Sequence, residues 1–197
     1  MANISIFGLG YVGCVGTACL AKLGHKVIGY DVDETKVSCI NQGIPTIVER
    51  EVDEVMKEAH TQGLISATSS TEQAVAKSSI SFLCVGTPNA SDGQLDTSCL
   101  FHAIRNIGKA LRSKSTFHIV VIRSTVPPGT NETGTEILEK ESGKKAGINF
   151  AVVSNPEFLR EGMAVSDFLA PPITVLGSAN PQALKILRKI YEPLNSN

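Results

Sequence analysis

The sextet Gly8-Leu9-Gly10-Tyr11-Val12-Gly13 constrains this chain more than any other feature, because its glycines sit where a strand-like run gives way to a helical one. Residues 4–8 are β-rich. Val12, Val15, Gly16, Cys19, Leu20 and Leu23 then fall at i, i+3, i+4, i+7, i+8 and i+11, a single apolar helical stripe with Gly24 near its C-cap. A G-x-G-x-x-G match alone is weak, since glycine-rich sextets occur by chance. Between a strand and a helix, each glycine has a task. Gly8 makes the tight turn, Gly10 lets the backbone approach a pyrophosphate, and Gly13 permits close helix–strand packing. The helix N-terminus offers free N–H groups and a positive dipole end to the phosphates.

A second β run, residues 26–30, is followed by Asp31, 18 residues beyond Gly13. A carboxylate near that spacing binds the adenosine ribose diol and repels a 2′-phosphate, which points to NAD rather than NADP. Asp31 also suits a turn before a helix, as do Asp33 and Thr35, and the residues alone leave that reading open. Further β runs cover residues 80–85, 118–124, 150–154 and 173–176, with the sparse polar alternation of parallel strands covered on both faces. Val52, Val55, Met56 and Ala59 mark another helix that Gly63 could end, and residues 100–111 and 181–191 give two more.

This alternation predicts an α/β fold: a Rossmann-like doubly wound, mostly parallel sheet with helices on both faces, spanning residues 1–197. Ligands of such sheets bind at the carboxyl ends of the strands. There, Cys84-Val85-Gly86-Thr87-Pro88 and Ser124-Thr125-Val126-Pro127-Pro128-Gly129-Thr130 each place a threonine just after a β run. Ordinary turn chemistry would give either loop the same composition.

With 18 basic and 19 acidic side chains and no long run of like charge, the chain lacks the electrostatic footprint of a nucleic-acid or anionic-membrane partner. It has no basic N-terminal signal region and no apolar stretch near the ~18 residues of a membrane span, so a soluble, cytoplasmic protein is expected. Five cysteines, an odd number with no C-x-x-C pair, suggest reduced thiols. The scattered histidines have no ligand spacing, and no metal site is expected.

Taken together, several motifs are recognisable. They are Phe7-Gly8-Leu9-Gly10-Tyr11-Val12-Gly13, Gly29-Tyr30-Asp31 with Lys36 five residues on, Asn41-Gln42-Gly43, Val85-Gly86-Thr87-Pro88, Arg123-Ser124-Thr125-Val126-Pro127-Pro128-Gly129-Thr130 and Asn155-Pro156-Glu157-Phe158-Leu159-Arg160-Glu161. In this combination the chain resembles the NAD-binding half of the UDP-glucose/GDP-mannose dehydrogenase family of nucleotide-sugar 6-dehydrogenases. Ile47-Val48-Glu49 and Ser142-Gly143-Lys144-Lys145-Ala146-Gly147 look more like the GDP-mannose branch than the UDP-glucose branch.

The resemblance implies oxidation of a sugar C6 alcohol to a carboxylate by two hydride transfers to NAD, through a cysteine-bound thiohemiacetal and thioester. It implies NAD contacts at Tyr11, Val12, Asp31, Lys36, Thr87 and Thr125, beside the sextet's Gly8, Gly10 and Gly13. Glu157 would serve in acid–base or water-activating steps, and Glu157 and Glu161 would meet the substrate. From the residues alone, Asn155 and Pro156 suit the N-cap and first position of a helix that would carry Glu157 and Glu161 on one face. Equally, Glu157 could complement that helix's dipole while pairing with Arg160 on the surface.

The family's Gly-Gly-Ser-Cys-like catalytic segment has no counterpart among Cys14, Cys19, Cys39, Cys84 and Cys99. The resemblance places that segment, a long central helix and the sugar-nucleotide domain outside these residues. The expectation is therefore a fragment that binds cofactor but is inactive alone, with a homodimer for the full-length enzyme and a monomer for the fragment. The other readings are a non-catalytic NAD-binding module, which has no need of Glu157 and Glu161, and a 2-hydroxyacid or 6-phosphogluconate-type dehydrogenase, which leaves residues 155–161 unexplained.

Overall fold

The computed structural model describes residues 1–90 and 93–194; residues 195–197, which the sequence puts past the last helix, lie outside them. The elements are β1 (Asn3–Phe7), α1 (Tyr11–Lys22), β2 (Lys26–Tyr30), α2 (Glu34–Asn41), α3 (Val52–Thr61), β3 (Ile65–Thr68), α4 (Thr71–Lys77), β4 (Ile80–Leu83), α5 (Ser98–Leu111), β5 (His118–Ile122), α6 (Thr130–Ser142), β6 (Phe150–Ser154), α7 (Ala164–Leu169) and α8 (Pro181–Tyr191). The six strands form one sheet in the order β3-β2-β1-β4-β5-β6, and every pairing is parallel. The order reverses direction between β1 and β4, so their carboxyl ends border the crevice where doubly wound sheets bind ligands.

Alternation along the strands divides the core into two layers. Ile4, Ile6, Ile119 and Val121 pack with α1, α3, α7 and α8. Phe7, Leu83, Val120 and Ile122 pack with α4, α5 and α6. Gly63 ends α3 at φ 66°, and α8 occupies the expected residues because Asn180 Oδ1 caps the Ala183 amide at 2.9 Å while Pro181 takes the first turn.

Two expectations need correction, and one strand was not foreseen. Residues 173–176 make no strand. The segment touches the sheet through one antiparallel bridge, Gly177 to Ser154, and the Val175 carbonyl is taken by the Asn155 side chain rather than by a strand. The edge strand β3 escapes a hydrophobic reading because Ile65-Ser66-Ala67-Thr68 needs only one strongly apolar residue where it pairs on one side. Finally, β4 and β5 stop at Leu83 and Ile122, which leaves Cys84, Val85, Arg123 and Ser124 in the loops at the crevice.

At the opposite, amino edge of the sheet lies a fully buried polar chain. Ser5 Oγ bonds Ser78 Oγ (2.9 Å) and Ser81 Oγ (2.7 Å), and Ser81 Oγ meets His118 Nε2 at 2.8 Å. Lys114 Nζ donates nearby to the carbonyls of Val75 (2.9 Å) and Ser78 (2.7 Å). Burial first, then the Lys114 charge, push His118 down to about 3. A histidine whose folded pKa lies below its unfolded 6.5 adds stability above pH 6.5 that is lost as pH falls toward 3. Thermal melts should therefore show the parent losing stability between pH 6.5 and 4.5 at up to ~1.4 kcal/mol per unit, and His118→Gln losing distinctly less over that range. Parallel curves would contradict this role for His118.

Candidate functional site

The strand-to-helix turn explains two of its three motif glycines from within the protein. Gly8 takes φ 93°, and a Cβ there would lie 2.9 Å from the Cys84 carbonyl oxygen. A Cβ on Gly13 would lie 1.8 Å from the Gly8 carbonyl oxygen and 3.2 Å from Ile6 Cγ2. The start of α1 thus rests directly on β1 and its turn. Gly10 is different: its φ is −78°, and a Cβ would meet no protein atom within 4 Å. As N-cap of α1 it supplies no side-chain cap, and the first turn carries no acidic residue. Among the described residues, no side chain accepts from the Tyr11, Val12 or Gly13 amides of that turn, an arrangement suited to an anionic diphosphate.

Asp31 follows β2 and is buried. Its Oδ2 accepts from the Leu9 amide at 2.7 Å and its Oδ1 from the Asp33 amide at 3.0 Å, while Lys36 Nζ sits 3.6 Å from Oδ2. The two readings of this residue are compatible. Asp31 organises the turn, Asp33 caps α2 through the Thr35 amide, and each Asp31 oxygen keeps acceptor capacity for a hydroxyl. The carboxylate is also tied to the glycine turn itself.

The two threonine loops are stitched together: Thr87 Oγ1 donates to the Thr125 carbonyl at 2.9 Å, and Ser124 Oγ to the Val85 carbonyl at 2.6 Å. Thr87 and Thr125 therefore stand side by side beyond β4 and β5.

Residues 155–160 are not helical, contrary to the expectation that Asn155 and Pro156 begin a helix with Glu157 and Glu161 on one face. Asn155 is committed to tertiary partners. Its Oδ1 accepts from Arg123 Nη1 (2.8 Å) and the Tyr191 hydroxyl (2.5 Å), and its Nδ2 donates to the Val175 carbonyl (2.9 Å). Glu157 instead folds its carboxylate back onto the Leu159 amide at 2.6 Å. Arg160 pairs with Asp167, not Glu157, through Nη2–Oδ1 at 2.7 Å and Nε–Oδ2 at 3.0 Å. The helix, α7, begins only after Gly162, at Ala164. Glu157 lines a small cavity with Arg123, Asn155, Phe168 and Tyr191, and Glu161 is exposed on the same loop.

Arg123 belongs to the motif after β5, where the sequence alone assigns it no role. It is buried, lies 5.3 Å from the Phe168 ring centroid, and has no carboxylate partner among the described residues. The available signal was a charge placed directly after the apolar run of β5. Cys84 is no nucleophile in this setting, since burial pushes its thiol up to about 12 despite the nearby Arg123 charge. Among the described residues, no group of three or more His, Cys, Asp or Glu side chains could hold a metal ion, and no helix is long and apolar enough to cross a membrane.

A parallel sheet of this order, a glycine turn opening α1 and an acid after β2 define a dinucleotide-binding domain of the Rossmann class. Residues 2–195 match the model of the UDP-glucose/GDP-mannose dehydrogenase family, NAD binding domain; the chain belongs to that family, and NAD is its cofactor. It is 47% identical over 195 residues to GDP-mannose 6-dehydrogenase of Pseudomonas aeruginosa, covering 98% of this chain and 45% of that protein. It is 38% identical to UDP-glucose 6-dehydrogenase of Haloferax volcanii, covering 98% and 44%. A crystal structure of a ternary complex of the Pseudomonas aeruginosa GDP-mannose dehydrogenase superposes with a TM-score of 0.95, again over 98% of this chain and 44% of that one. A UDP-glucose dehydrogenase from Pyrobaculum islandicum, 41% identical, gives the same TM-score over 100% and 45%. The chain spans about 45% of the length of the GDP-mannose 6-dehydrogenases it matches.

The contact at Gly13 sets a firm expectation. Gly13→Ala should cost ~3 kcal/mol, the upper end of the usual overpacking range, measured as a large fall in the thermal transition or loss of soluble protein. A variant that melts with the parent would show that α1 can lift from β1 freely.

Proposed function

We propose that this chain forms the NAD site of a nucleotide-sugar 6-dehydrogenase that oxidises the C6 alcohol of GDP-mannose to the carboxylate of GDP-mannuronate. The observation that carries the cofactor assignment is Gly10, a glycine that no contact within the protein requires and that lies where a ligand backbone would come closest. The sugar assignment is supported by the 47% identity to the Pseudomonas aeruginosa enzyme and by the likeness of residues 47–49 and 142–147 to the GDP-mannose branch. A UDP-glucose reading draws support from the equal TM-score of the Pyrobaculum islandicum enzyme.

In this reading, the backbone of Gly8, Gly10, Tyr11, Val12 and Gly13 cradles the diphosphate. Asp31 accepts from the ribose hydroxyls, with Lys36 beside it. Thr87 and Thr125 line the nicotinamide end. NAD, when bound, supplies the hydride acceptor. Glu157 moves protons at the reacting centre, and Glu161 holds substrate near the cofactor. The catalytic cysteine, the central helix and the sugar-nucleotide domain come from sequence outside these residues. The full-length enzyme is then a cytoplasmic homodimer, and the 197-residue chain alone takes up NAD without turning over either sugar nucleotide.

Calorimetry tests the cofactor site. Gly10→Ala should melt within ~1 kcal/mol of the parent, the usual scale of an N-cap change, yet bind NAD at least tenfold more weakly; undiminished affinity would remove the diphosphate from this turn. Asp31→Asn keeps one side-chain oxygen to accept from a backbone amide but loses the charge. Its NAD-over-NADP preference should fall by about tenfold or more, equivalent to ~1.4 kcal/mol. Equal affinity of the parent for NAD and NADP would falsify the ribose assignment. In the full-length enzyme, Glu157→Gln retains an acceptor for Leu159 and should lower kcat by ~10²–10⁴-fold without shifting Tm. The reverse pattern would make Glu157 a residue of the fold.

A further inference from the structure

Glu49 lies between α2 and α3, in a stretch that belongs to neither helix, and its side chain is buried, 7% exposed. No Lys, Arg or His nitrogen among the described residues lies within 4.0 Å of it. Its charge is met by hydrogen-bond donors from two distant parts of the chain. Its Oε2 accepts from the Tyr11 hydroxyl at 2.6 Å and from the Gly162 amide at 2.8 Å, and its Oε1 from the Ala164 amide at 3.4 Å. The Tyr11 hydroxyl, 3.4 Å from the Arg160 carbonyl oxygen, touches the same loop directly.

A buried carboxylate without a cation is costly unless its oxygens are fully engaged. Here the engagement does more than satisfy a charge, because of what the donors belong to. Tyr11 is the first residue of α1, between Gly10 and Val12. Gly162 and Ala164 follow directly on the segment that carries Glu157 and Glu161. Tyr11 and the Gly162 amide hold Glu49 below the usual carboxylate range. Burial, then Glu49, keep the Tyr11 phenol protonated well above its ordinary pKa, and the charge of Glu161 acts in the same direction. Donor and acceptor thus stay in a charge-assisted pair across the neutral range.

We propose that Glu49 is a positioning residue that, through Tyr11, locks the loop bearing Glu157 and Glu161 to the first turn of the cofactor helix. This rests on the reading that the NAD diphosphate meets that turn. A ligand that steadies the turn steadies the tyrosine, then the carboxylate, then the loop. By linkage, a sugar ligand that orders the loop strengthens NAD binding by the same factor. If Glu49 merely capped α7, the state of the glycine turn would not matter to the loop.

Amide hydrogen exchange at Gly162 and Ala164, followed by NMR in the 197-residue chain with and without saturating NAD, separates the two cases. NAD should slow exchange at both amides by roughly tenfold or more in the parent, as expected when local opening is suppressed. In Tyr11→Phe, which removes one hydroxyl, that slowing should shrink to about twofold or less when the comparison is made at the NAD concentration that calorimetry shows to saturate this variant, whatever its affinity. Glu49→Gln sets an amide donor against donors and should behave likewise, with Glu49→Asp recovering part of the effect. Tyr11→Phe keeps the test decisive if a Glu49 variant fails to fold. Equal NAD-dependent slowing in parent and Tyr11→Phe, or no slowing in a parent that calorimetry shows to be saturated, would overturn the role of Glu49. Absence of NAD uptake by the parent would instead bring down the cofactor site, and the positioning role with it.

Discussion

The near-contact between Gly13 and the Gly8 carbonyl, where a Cβ would come within 1.8 Å, governs how the rest of the molecule is placed. It sets the start of α1 against β1, so that the helix begins at the sheet's carboxyl edge instead of standing off it. From that turn the Leu9 amide reaches the Asp31 carboxylate, and the Tyr11 hydroxyl reaches Glu49. Packing and ligand geometry are here one constraint: the contact that lets helix and strand touch also turns the helix dipole and its free amides toward the crevice between β1 and β4.

Charges along the crevice are held by dipoles more than by opposite charges. Asp31 has Lys36 near it, but its shortest bonds are to backbone amides. Among the described residues, Glu49 has only amides and a phenol. Arg123 is met by the Asn155 amide oxygen, the Tyr191 hydroxyl and the face of Phe168. Removing charged groups from water without a full counter-charge costs stability, and a chain selected for stability alone would have apolar groups here. The amino edge carries the neutral Ser5–Ser81–His118 chain and one charge, Lys114, held in the same way by backbone carbonyls.

Strong local signals made several elements legible in the sequence, though not α4 or α6, despite the Ser70 cap of α4 and the Gly143 end of α6. The α8 helix follows from Pro181, the Asn180 cap and an apolar stripe. The first βαβ unit follows from glycine spacing and Asp31. Reading failed where distant partners decide. Asn155 and Pro156 look like a helix start, but Arg123, Tyr191 and Val175, all remote in sequence, claim the asparagine, and the segment is not helical. β3 is too short and too polar to announce itself until β2 is beside it. Of the proposed site residues, the glycines, Asp31, Thr87 and Thr125 stand out in the sequence because turn, spacing and strand end are local signals. The role of Glu49 had no such signal: nothing around residues 47–51 tells that its partners lie 38 and 113 residues away.

The central claim is geometric: a diphosphate at the α1 turn, an adenosine ribose on Asp31, and a nicotinamide reaching toward Thr87 and Thr125. A crystal structure of this chain grown with NAD tests all of it at once. The account predicts diphosphate density against the amides that follow Gly10, with the ribose hydroxyls within hydrogen-bond distance of the Asp31 carboxylate. NAD seated away from the β1–β4 crevice, or bound there with its ribose turned from Asp31, would contradict it.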